Sequence, residues 1–403
     1  MSRRTLIVAP HAGGHHGEYL RWITRGLVAR GAALTVVAPP AALDAAGLDA
    51  DGLDADGRTG HAHLGPEADP VAVDPVAPLS GGPSAWSRSR AVAALTRRTV
   101  LDHRPERVLL PYLDPAVPAV AVGMRFRCPV RMVGLLFRVT LHEPAESGGI
   151  KAVGRRAAKS LALRAAARNP HLGAVLALDP DAVAPLRRLG LDARWVPDPV
   201  EPPSPLRDAA AVRAALGIEP HRRVALLFGS LEERKGVFET LAALPRMSPT
   251  DASRLSVVVL GRTYDDIRPR LEAAVADARR TQAQVVFEER FVPDAELDEV
   301  VAAADAVLAP YCGHVGSSGV VLRAAAAGTP LVATEEGMVG REVRGHRLGQ
   351  TIDPARLDAL AEALGAVARG ETPGFNPDGA AAYAAAHHVD RFVGVIADAL
   401  SSP

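Results

Sequence analysis

Two turns in the second half of the chain combine glycines with residues that suit an anion. In "FGSLEERKGVFETLAAL" (228–244), Arg234 and Lys235 stand directly before a predicted helix that begins near Gly236. The first N–H groups of a helix are unpaired and its dipole favours negative charge, so adjacent cations at this point favour a bound diphosphate. The alternative is a solvated turn in which the two preceding glutamates neutralise both cations.

The second turn, in "GHVGSSGVVLRAAAAGTP" (313–330), predicts another anion contact. Ser317 or Ser318 can cap the helix that follows, and the neighbouring glycines, including Gly319, let a ligand approach the backbone closely. The alternative is a helix that only packs into the interior through its alanines. The first turn of this helix carries Arg323 and no acid, and an arginine donates hydrogen bonds but cannot accept them.

A loop rich in histidine and glycine, "HAGGHHGE" (11–18), follows the first apolar run. A neutral imidazole such as that of His16 could hydrogen-bond a hydroxyl group or act as a general base near neutral pH. Two alternatives are histidines that only brace the loop and a metal site. The metal site would use His11, His15, His16 and Glu18.

The elements that must position these residues alternate between apolar runs and amphipathic stretches. Residues 5–10 are a continuous apolar run typical of a buried parallel strand, and helical spacing then extends to Gly31. A second strand at 33–39 completes a strand–helix–strand unit, which indicates a parallel, doubly wound sheet. Further strands are predicted at 107–112, 130–137, 174–179, 224–229, 255–261, 284–289, 306–311 and 330–334. The predicted fold class is therefore α/β, with two Rossmann-like doubly wound domains that face each other across a cleft.

The domain boundary is predicted in "RWVPDPVEPPSPL" (194–206), which has five prolines in thirteen residues. The N-terminal domain would comprise 1–197 and the C-terminal domain 198–380. A final helix within 381–403 would return to the N-terminal domain. Residues 43–85, with a five-residue repeat and then many prolines, are predicted as a surface insertion.

The amino-acid composition limits the kinds of molecule that the protein is expected to bind. The 403 residues include 46 basic and 46 acidic side chains, so no overall field would attract nucleic acid or a membrane surface. Cys128 and Cys312 lie far apart in sequence, which argues against a disulfide framework or a zinc site. No apolar run is long enough for a signal peptide or a membrane span, and a cytoplasmic protein with small-molecule partners is expected.

The ordered motifs "GSLEERKG", "VVVLG", "RFVPDAELDEVVAAADAVLAPY", "LRAAAAGTPLVAT" and "GREV" resemble the donor domain of family 4 glycosyltransferases of the GT-B fold. The resemblance covers 194–360 well and the N-terminal half more loosely. It implies a nucleotide-diphosphate sugar as donor, no bound cofactor or metal, retention of anomeric configuration, and a small-molecule or glycan acceptor.

Members of this family bind the donor diphosphate through an arginine after the first strand and a Lys-Gly pair at the helix start. Lys235-Gly236 matches that pair, whereas Ser230 occupies the arginine position, so Arg234 would replace it. The family's two glutamates, with seven residues between them, fall on Val315 and Arg323. Both acids are therefore absent.

Other carried-over positions are Glu342 in "GREV", which matches a further family acid, and His142, which resembles a histidine that faces the sugar. The loop with Gly13 and Gly14 would approach the donor phosphates and the acceptor. The predicted catalytic residues are Lys235, Arg234, His142 and His16. The predicted donor-binding residues are Gly13, Gly14, Ser230, Ser317, Ser318, Gly319, Arg323 and Glu342.

Two other functions fit the missing acids. One is a degenerate binding or scaffold protein without turnover, and the other is a non-sugar transfer in which Arg323 binds an additional phosphate or carboxylate. The segment 151–168 has six cations and no acid, and such helices dock some family members on anionic membranes. Its apolar side is mostly alanine, so a surface helix packed on its own domain is preferred.

Overall fold

A computed structural model describes residues 4–11, 16–48, 60–62, 71–77, 79, 84–139, 149–203, 207–314 and 316–402. The predicted site residues Gly13, Gly14 and His142, together with His15 and Val315, lie outside these ranges. The chain divides into two compact units. One comprises Met1–Pro197 and Val389–Pro403, and the other comprises Asp198–His388.

The first unit is built on an eight-stranded sheet in the order β3-β4-β2-β1-β5-β6-β7-β8. All strand pairs are parallel except that of β3 with β4 at one edge. The strands are β1 (Thr5–Val8), β2 (Leu34–Ala38), β3 (Gly60–Ala62), β4 (Val71–Pro75), β5 (Arg107–Leu110), β6 (Arg131–Leu136), β7 (Leu172–Ala177) and β8 (Asp192–Trp195). The apolar side chains of β1, β2, β5, β6 and β7 are buried on both faces because helices cover the sheet.

The α-helices of this unit in the described residues are α1 (His16–Val28), α2 (Pro40–Ala45), α3 (Ala85–His103), α4 (Val117–Ala121), α5 (Gly149–Ala166), α6 (Val183–Arg188) and the last one, α16 (Val389–Ser401). The final helix is part of the core, since Phe392 and Ile396 are fully buried in it. It lies so close to α1 that a Cβ at Gly26 would stand 2.5 Å from a methyl group of Val393.

The second unit has a six-stranded parallel sheet in the order β11-β10-β9-β12-β13-β14. Its strands are β9 (Arg223–Leu231), β10 (Leu255–Thr263), β11 (Gln284–Glu289), β12 (Ala306–Ala309), β13 (Leu331–Thr334) and β14 (Gly349–Ile352). Its helices are α7 (Ala209–Ala215), α8 (Val237–Ala243), α9 (Pro249–Ala252), α10 (Arg268–Ala278), α11 (Asp294–Ala303), α12 (Gly319–Ala326), α13 (Gly337–Gly345), α14 (Leu357–Ala368) and α15 (Pro377–Ala386). The strand order reverses between β9 and β12, which makes this pair the switch point of the sheet.

The predicted α/β class and the ten predicted strands are confirmed. Three parallel strands were not predicted: β4, β8 and β14. The prediction of a surface insertion over 43–85 is wrong for Val71–Pro75, because this segment pairs with β2 and buries Val71 and Val73. Within the described residues, no helix is long and apolar enough to span a membrane.

Candidate functional site

The switch point of the second unit brings a lysine, a tyrosine and a serine together. Lys235 follows β9, Tyr311 follows β12, and Ser318 precedes α12. Lys235 Nζ donates to the Tyr311 hydroxyl at 3.1 Å and lies 4.7 Å from the centroid of its ring. The same hydroxyl is 2.9 Å from Ser318 Oγ. Ligands of open α/β sheets bind at such a position, beyond the carboxyl ends of the strands.

Lys235 forms no ion pair with a carboxylate of any residue that the structure describes. Its neighbours are the phenol of Tyr311 and the backbone of Gly229, where a Cβ would lie 3.7 Å from Nζ. A phenol accepts a hydrogen bond without neutralising the ammonium group. The positive charge of Lys235 is therefore available to an anion.

Arg234 is oriented by the Gly-Ser-Ser-Gly turn. One of its guanidinium nitrogens donates to His314 Nδ1 at 2.6 Å, and His314 Nε2 lies 3.0 Å from the carbonyl oxygen of Ser317. Because a guanidinium only donates, His314 accepts at Nδ1 and carries its proton on Nε2. Arg234 also contacts Glu232 at 3.5 Å, whereas Glu233 pairs with Arg270. One of the two preceding glutamates is thus directed elsewhere.

Gly236 allows the cationic turn to lie against the end of β12. Its φ is +70°, and a Cβ there would stand 2.0 Å from the carbonyl oxygen of Pro310. Any other residue would have to push the turn away from the strand and would also be strained at this φ. The glycine of the predicted Lys-Gly pair is therefore required by close approach of two backbone segments.

The two serines of the second turn do not cap α12, so that prediction is wrong. Ser318 occupies the N-cap position without a capping hydrogen bond and instead contacts Tyr311. Ser317 Oγ donates to the carboxylate of Asp198. Among the residues that the structure describes, the N–H groups of Gly319 and Val320 have neither an intrahelical acceptor nor a side-chain cap, whereas the N–H of Val321 donates to the carbonyl oxygen of Ser318 at 3.0 Å.

The side chain of Arg323, on α12, makes its hydrogen bonds to α11. Its guanidinium donates to the carboxylates of Asp294, at 2.8 Å, and Asp298, both on α11. The side chain is 20% exposed and that of Asp298 is 14% exposed. The structure thus places Arg323 in a partly buried contact between two helices.

Glu342, on α13, is directed toward the buried Tyr383 of α15. Burial raises the pKa of the Tyr383 hydroxyl, and its hydrogen bond to Glu342 together with the charge of that carboxylate adds to this shift. Ser230 is exposed at the end of β9. Ser230 lines the neighbouring pocket.

That pocket has a volume of about 230 Å³ and opens at the carboxyl ends of β9 and β10. It was not predicted from the sequence. Phe291 lines this pocket, and 68% of the surface of Phe291 is exposed. The side chain of Arg262, also in the lining, makes no hydrogen bond or ion pair with a described residue. Arg290 is held by Glu288 and Glu296. The full lining is Gly229, Ser230, Leu260, Gly261, Arg262, Arg290, Phe291, Val292, Asp294 and Leu297.

In the first unit, three rings meet at the carboxyl ends of β1 and β5. The ring centroids of His11 and His16 are 5.4 Å apart, and each lies 5.1–5.4 Å from that of Tyr112. Burial lowers the pKa of His11, so its imidazole is neutral at pH 7. The described residues contain no group of three or more side chains arranged to hold a metal ion.

Residues 222–369 match the sequence model of the family described as "Glycosyl transferases group 1". The D-inositol 3-phosphate glycosyltransferase of Rhodococcus opacus is 32% identical over 161 residues. That similarity spans 39% of this chain and only 35% of the relative. It is therefore confined to part of each protein.

Two solved structures are similar over nearly the whole chain. The sucrose-phosphate synthase from Thermosynechococcus elongatus has a TM-score of 0.70 at 18% identity and covers 98% of both chains. The Anabaena protein HepE, solved with UDP and glucose, has a TM-score of 0.68 at 17% identity and covers 100% of both. The predicted GT-B fold is confirmed.

The ion pairs of Arg323 yield a stability prediction. Arg323→Glu places a third carboxylate beside Asp294 and Asp298, and we expect a loss of about 2 kcal/mol in the free energy of unfolding. For a unit of this size, thermal denaturation should show a fall of about 4–8 °C in midpoint. Arg254→Glu, at an exposed arginine without a described partner, should change the midpoint by under about 2 °C. Equal midpoints for the two variants would contradict the assignment.

The lowered pKa of His11 predicts acid sensitivity of the first unit. Below the ordinary histidine pKa of 6.5, the unfolded chain binds a proton that the folded chain resists, so this contribution to stability is lost as the pH falls. His11→Phe keeps an aromatic ring and should make the free energy of unfolding fall less steeply between pH 7 and pH 5. Urea unfolding followed by tryptophan fluorescence tests this, because Trp22, Trp86 and Trp195 all belong to the first unit. Identical slopes would count against it.

Proposed function

We propose that the protein is a glycosyltransferase that moves a sugar from a nucleotide-diphosphate sugar to a small-molecule or glycan acceptor. The observation that carries the proposal is Lys235, a cation without a described carboxylate partner, which donates to the hydroxyl of Tyr311 at the switch point of the second sheet. The family match over 222–369 supports the same function.

The diphosphate would lie between the cationic turn and the start of α12. Lys235 and Arg234 would neutralise its charge, and the N–H groups that begin at Gly319 would donate to its oxygens. The leaving diphosphate gains charge as the bond to the sugar breaks, so fixed donors at this point would lower the barrier. These two cations supply positive charge from the protein itself, in keeping with a reaction without a metal. Retention of anomeric configuration is part of the proposal.

The nucleoside would occupy the pocket beyond β9 and β10. Gly229 joins the two parts of the site, since it lines the pocket and lies beside Lys235 Nζ. The exposed ring of Phe291 would stack on the base, and Arg262 would bind a phosphate or ribose oxygen. Ser230 would hydrogen-bond the donor at the pocket edge. Arg323 would act on the donor through Asp294, which lines the pocket.

The remaining predicted residues stay part of the proposal. His16 would bind or deprotonate the acceptor hydroxyl, and the buried Nε2 of His11, which has no hydrogen-bond partner in the described chain, would accept a second one. His142, Gly13 and Gly14 would complete the donor and acceptor contacts. Glu342 would contact a sugar hydroxyl while it accepts from Tyr383.

A binding protein without turnover is the second candidate. Arg323 stands where the family has a glutamate, and its side chain pairs with two carboxylates of α11. Release of nucleoside diphosphate from a panel of sugar nucleotides distinguishes the two. Tight nucleotide binding without release, for every donor and with a broad set of acceptors, would favour the binding protein.

Lys235→Ala should weaken binding of a nucleoside diphosphate by about ten- to hundredfold, the loss expected for one hydrogen bond to a charged group. Titration calorimetry with UDP, GDP and ADP measures the effect. Arg254→Ala is the matched control, because it removes one positive charge from the turn before β10, at the amino end of the sheet. If both variants bind as tightly as the wild type, Lys235 is not the diphosphate contact.

Phe291→Ala should weaken nucleoside diphosphate binding by about five- to hundredfold, the range for loss of one base–aromatic stack. Binding of inorganic pyrophosphate should stay unchanged, because pyrophosphate has no base. Tyr264→Ala removes a similarly exposed ring that does not line the pocket and should leave both affinities intact. A parallel loss of pyrophosphate binding in Phe291→Ala would refute the stacking role.

A further inference from the structure

Asp198 is a buried carboxylate that the proposed chemistry does not use. It is 7% exposed and is the first residue of the second unit. Its carboxylate accepts a hydrogen bond from Ser317 Oγ, and its backbone oxygen accepts one from His387 Nδ1 at 2.9 Å. A buried carboxylate carries a large desolvation penalty unless hydrogen bonds compensate it. A negative charge beside a proposed anion site is also unfavourable, so a functional role would explain why Asp198 is placed there.

The backbone around Asp198 is fixed by the end of the same unit. His387 is 4% exposed, and its carbonyl oxygen accepts from the N–H of Val200 at 2.9 Å. Val200 and His388 also form a parallel bridge. The ring centroids of Tyr383 and His387 are 4.3 Å apart. The segments by which the chain enters and leaves the second unit are thus joined into one rigid support.

The Gly-Ser-Ser-Gly turn needs such a support. Gly316 has a φ of +100°, and two serines separate it from Gly319. Glycines leave the backbone more conformations than other residues, so a turn between two of them is poorly fixed by its own sequence. The bond from Ser317 to Asp198 attaches the turn to the support.

Both proposed diphosphate cations depend on this turn. Arg234 bonds to His314, which bonds to the carbonyl oxygen of Ser317. Lys235 bonds to Tyr311, which bonds to the hydroxyl of Ser318. Any displacement at Ser317 is therefore transmitted along two short hydrogen-bond chains.

We propose that Asp198 is a positioning residue for the donor diphosphate, which acts through Ser317 to hold Arg234 and Lys235 in their binding arrangement. The inference rests on the proposed function and adds to it a residue that touches neither donor nor acceptor. A binding role through geometry predicts that affinity for the diphosphate changes while the unit stays folded.

The test compares Ser317→Ala, Asp198→Asn, the double variant and Ser317→Thr by calorimetry with the nucleoside diphosphate that the wild type binds best among UDP, GDP and ADP. Each of the first two variants should bind about tenfold more weakly, as expected for one lost hydrogen bond to a charged group. The double variant should bind no more weakly than either one, because the two residues act as a pair. Ser317→Thr keeps the hydroxyl and should bind within about twofold of the wild type.

Asp305→Asn is the matched control. Asp305 is a carboxylate of the same unit that pairs with Arg213 and Arg223 at the amino end of β12. This variant should lower the thermal midpoint and leave nucleotide affinity unchanged. Its behaviour separates a loss of stability from a loss of positioning.

Three results would overturn the inference. Unchanged affinity in a folded Ser317→Ala variant would remove Asp198 from donor binding while the proposed function stands. Equal weakening by Ser317→Thr and Ser317→Ala would show that the hydrogen bond is not the cause. Absence of nucleoside diphosphate binding by the wild type would overturn the proposed function and this inference together.

Discussion

The site of the second unit depends on a lysine that is held by a phenol instead of a carboxylate. Lys235 donates to Tyr311, and the ring beneath it adds a cation–π contact. A carboxylate at the same distance would cancel the charge, whereas a phenol fixes the side chain and leaves the charge intact. The contact exists because β9 and β12 are neighbours in the sheet although 76 residues separate the two side chains. The strand order is therefore what assembles the site.

Much of the fold could be predicted because parallel strands buried on both faces are short continuous apolar runs. "VALLFG" and "LSVVVLG" are such runs, and both are central strands. Two of the strands that were missed, β8 and β14, lack this signal. β8 is an edge strand of the sequence "DARW", and β14 is an edge strand that begins with glycine. Edge strands need fewer apolar residues, so their sequences resemble loops.

The cationic turn was predicted from local residues, but its partners were not. Tyr311 and His314 became recognisable only when the strand order placed β12 beside β9. Arg323 was predicted as a ligand contact from its place in the family motif. Its acid partners, 25–29 residues away on another helix, could not be recognised from the sequence. Phe291 stands in the motif "RFVPDAELDEVVAAADAVLAPY", but the motif gives its ring no chemical role, and only its exposure beside a pocket marks it. Side-chain pairing across elements is set by packing, which a single sequence records weakly.

The helix α16 has a consequence for the order in which the molecule is made. Phe392, Val393 and Ile396 complete the core of the first unit, but the ribosome adds them only after the whole second unit. Domains fold largely as units during synthesis. The second unit, which is continuous and has its two ends joined at Asp198 and His387, can thus close before the first. The first unit begins to emerge from the ribosome before the second, but its core is completed only when α16 has been made. Until then, the apolar surface beside α1 that α16 covers stays exposed.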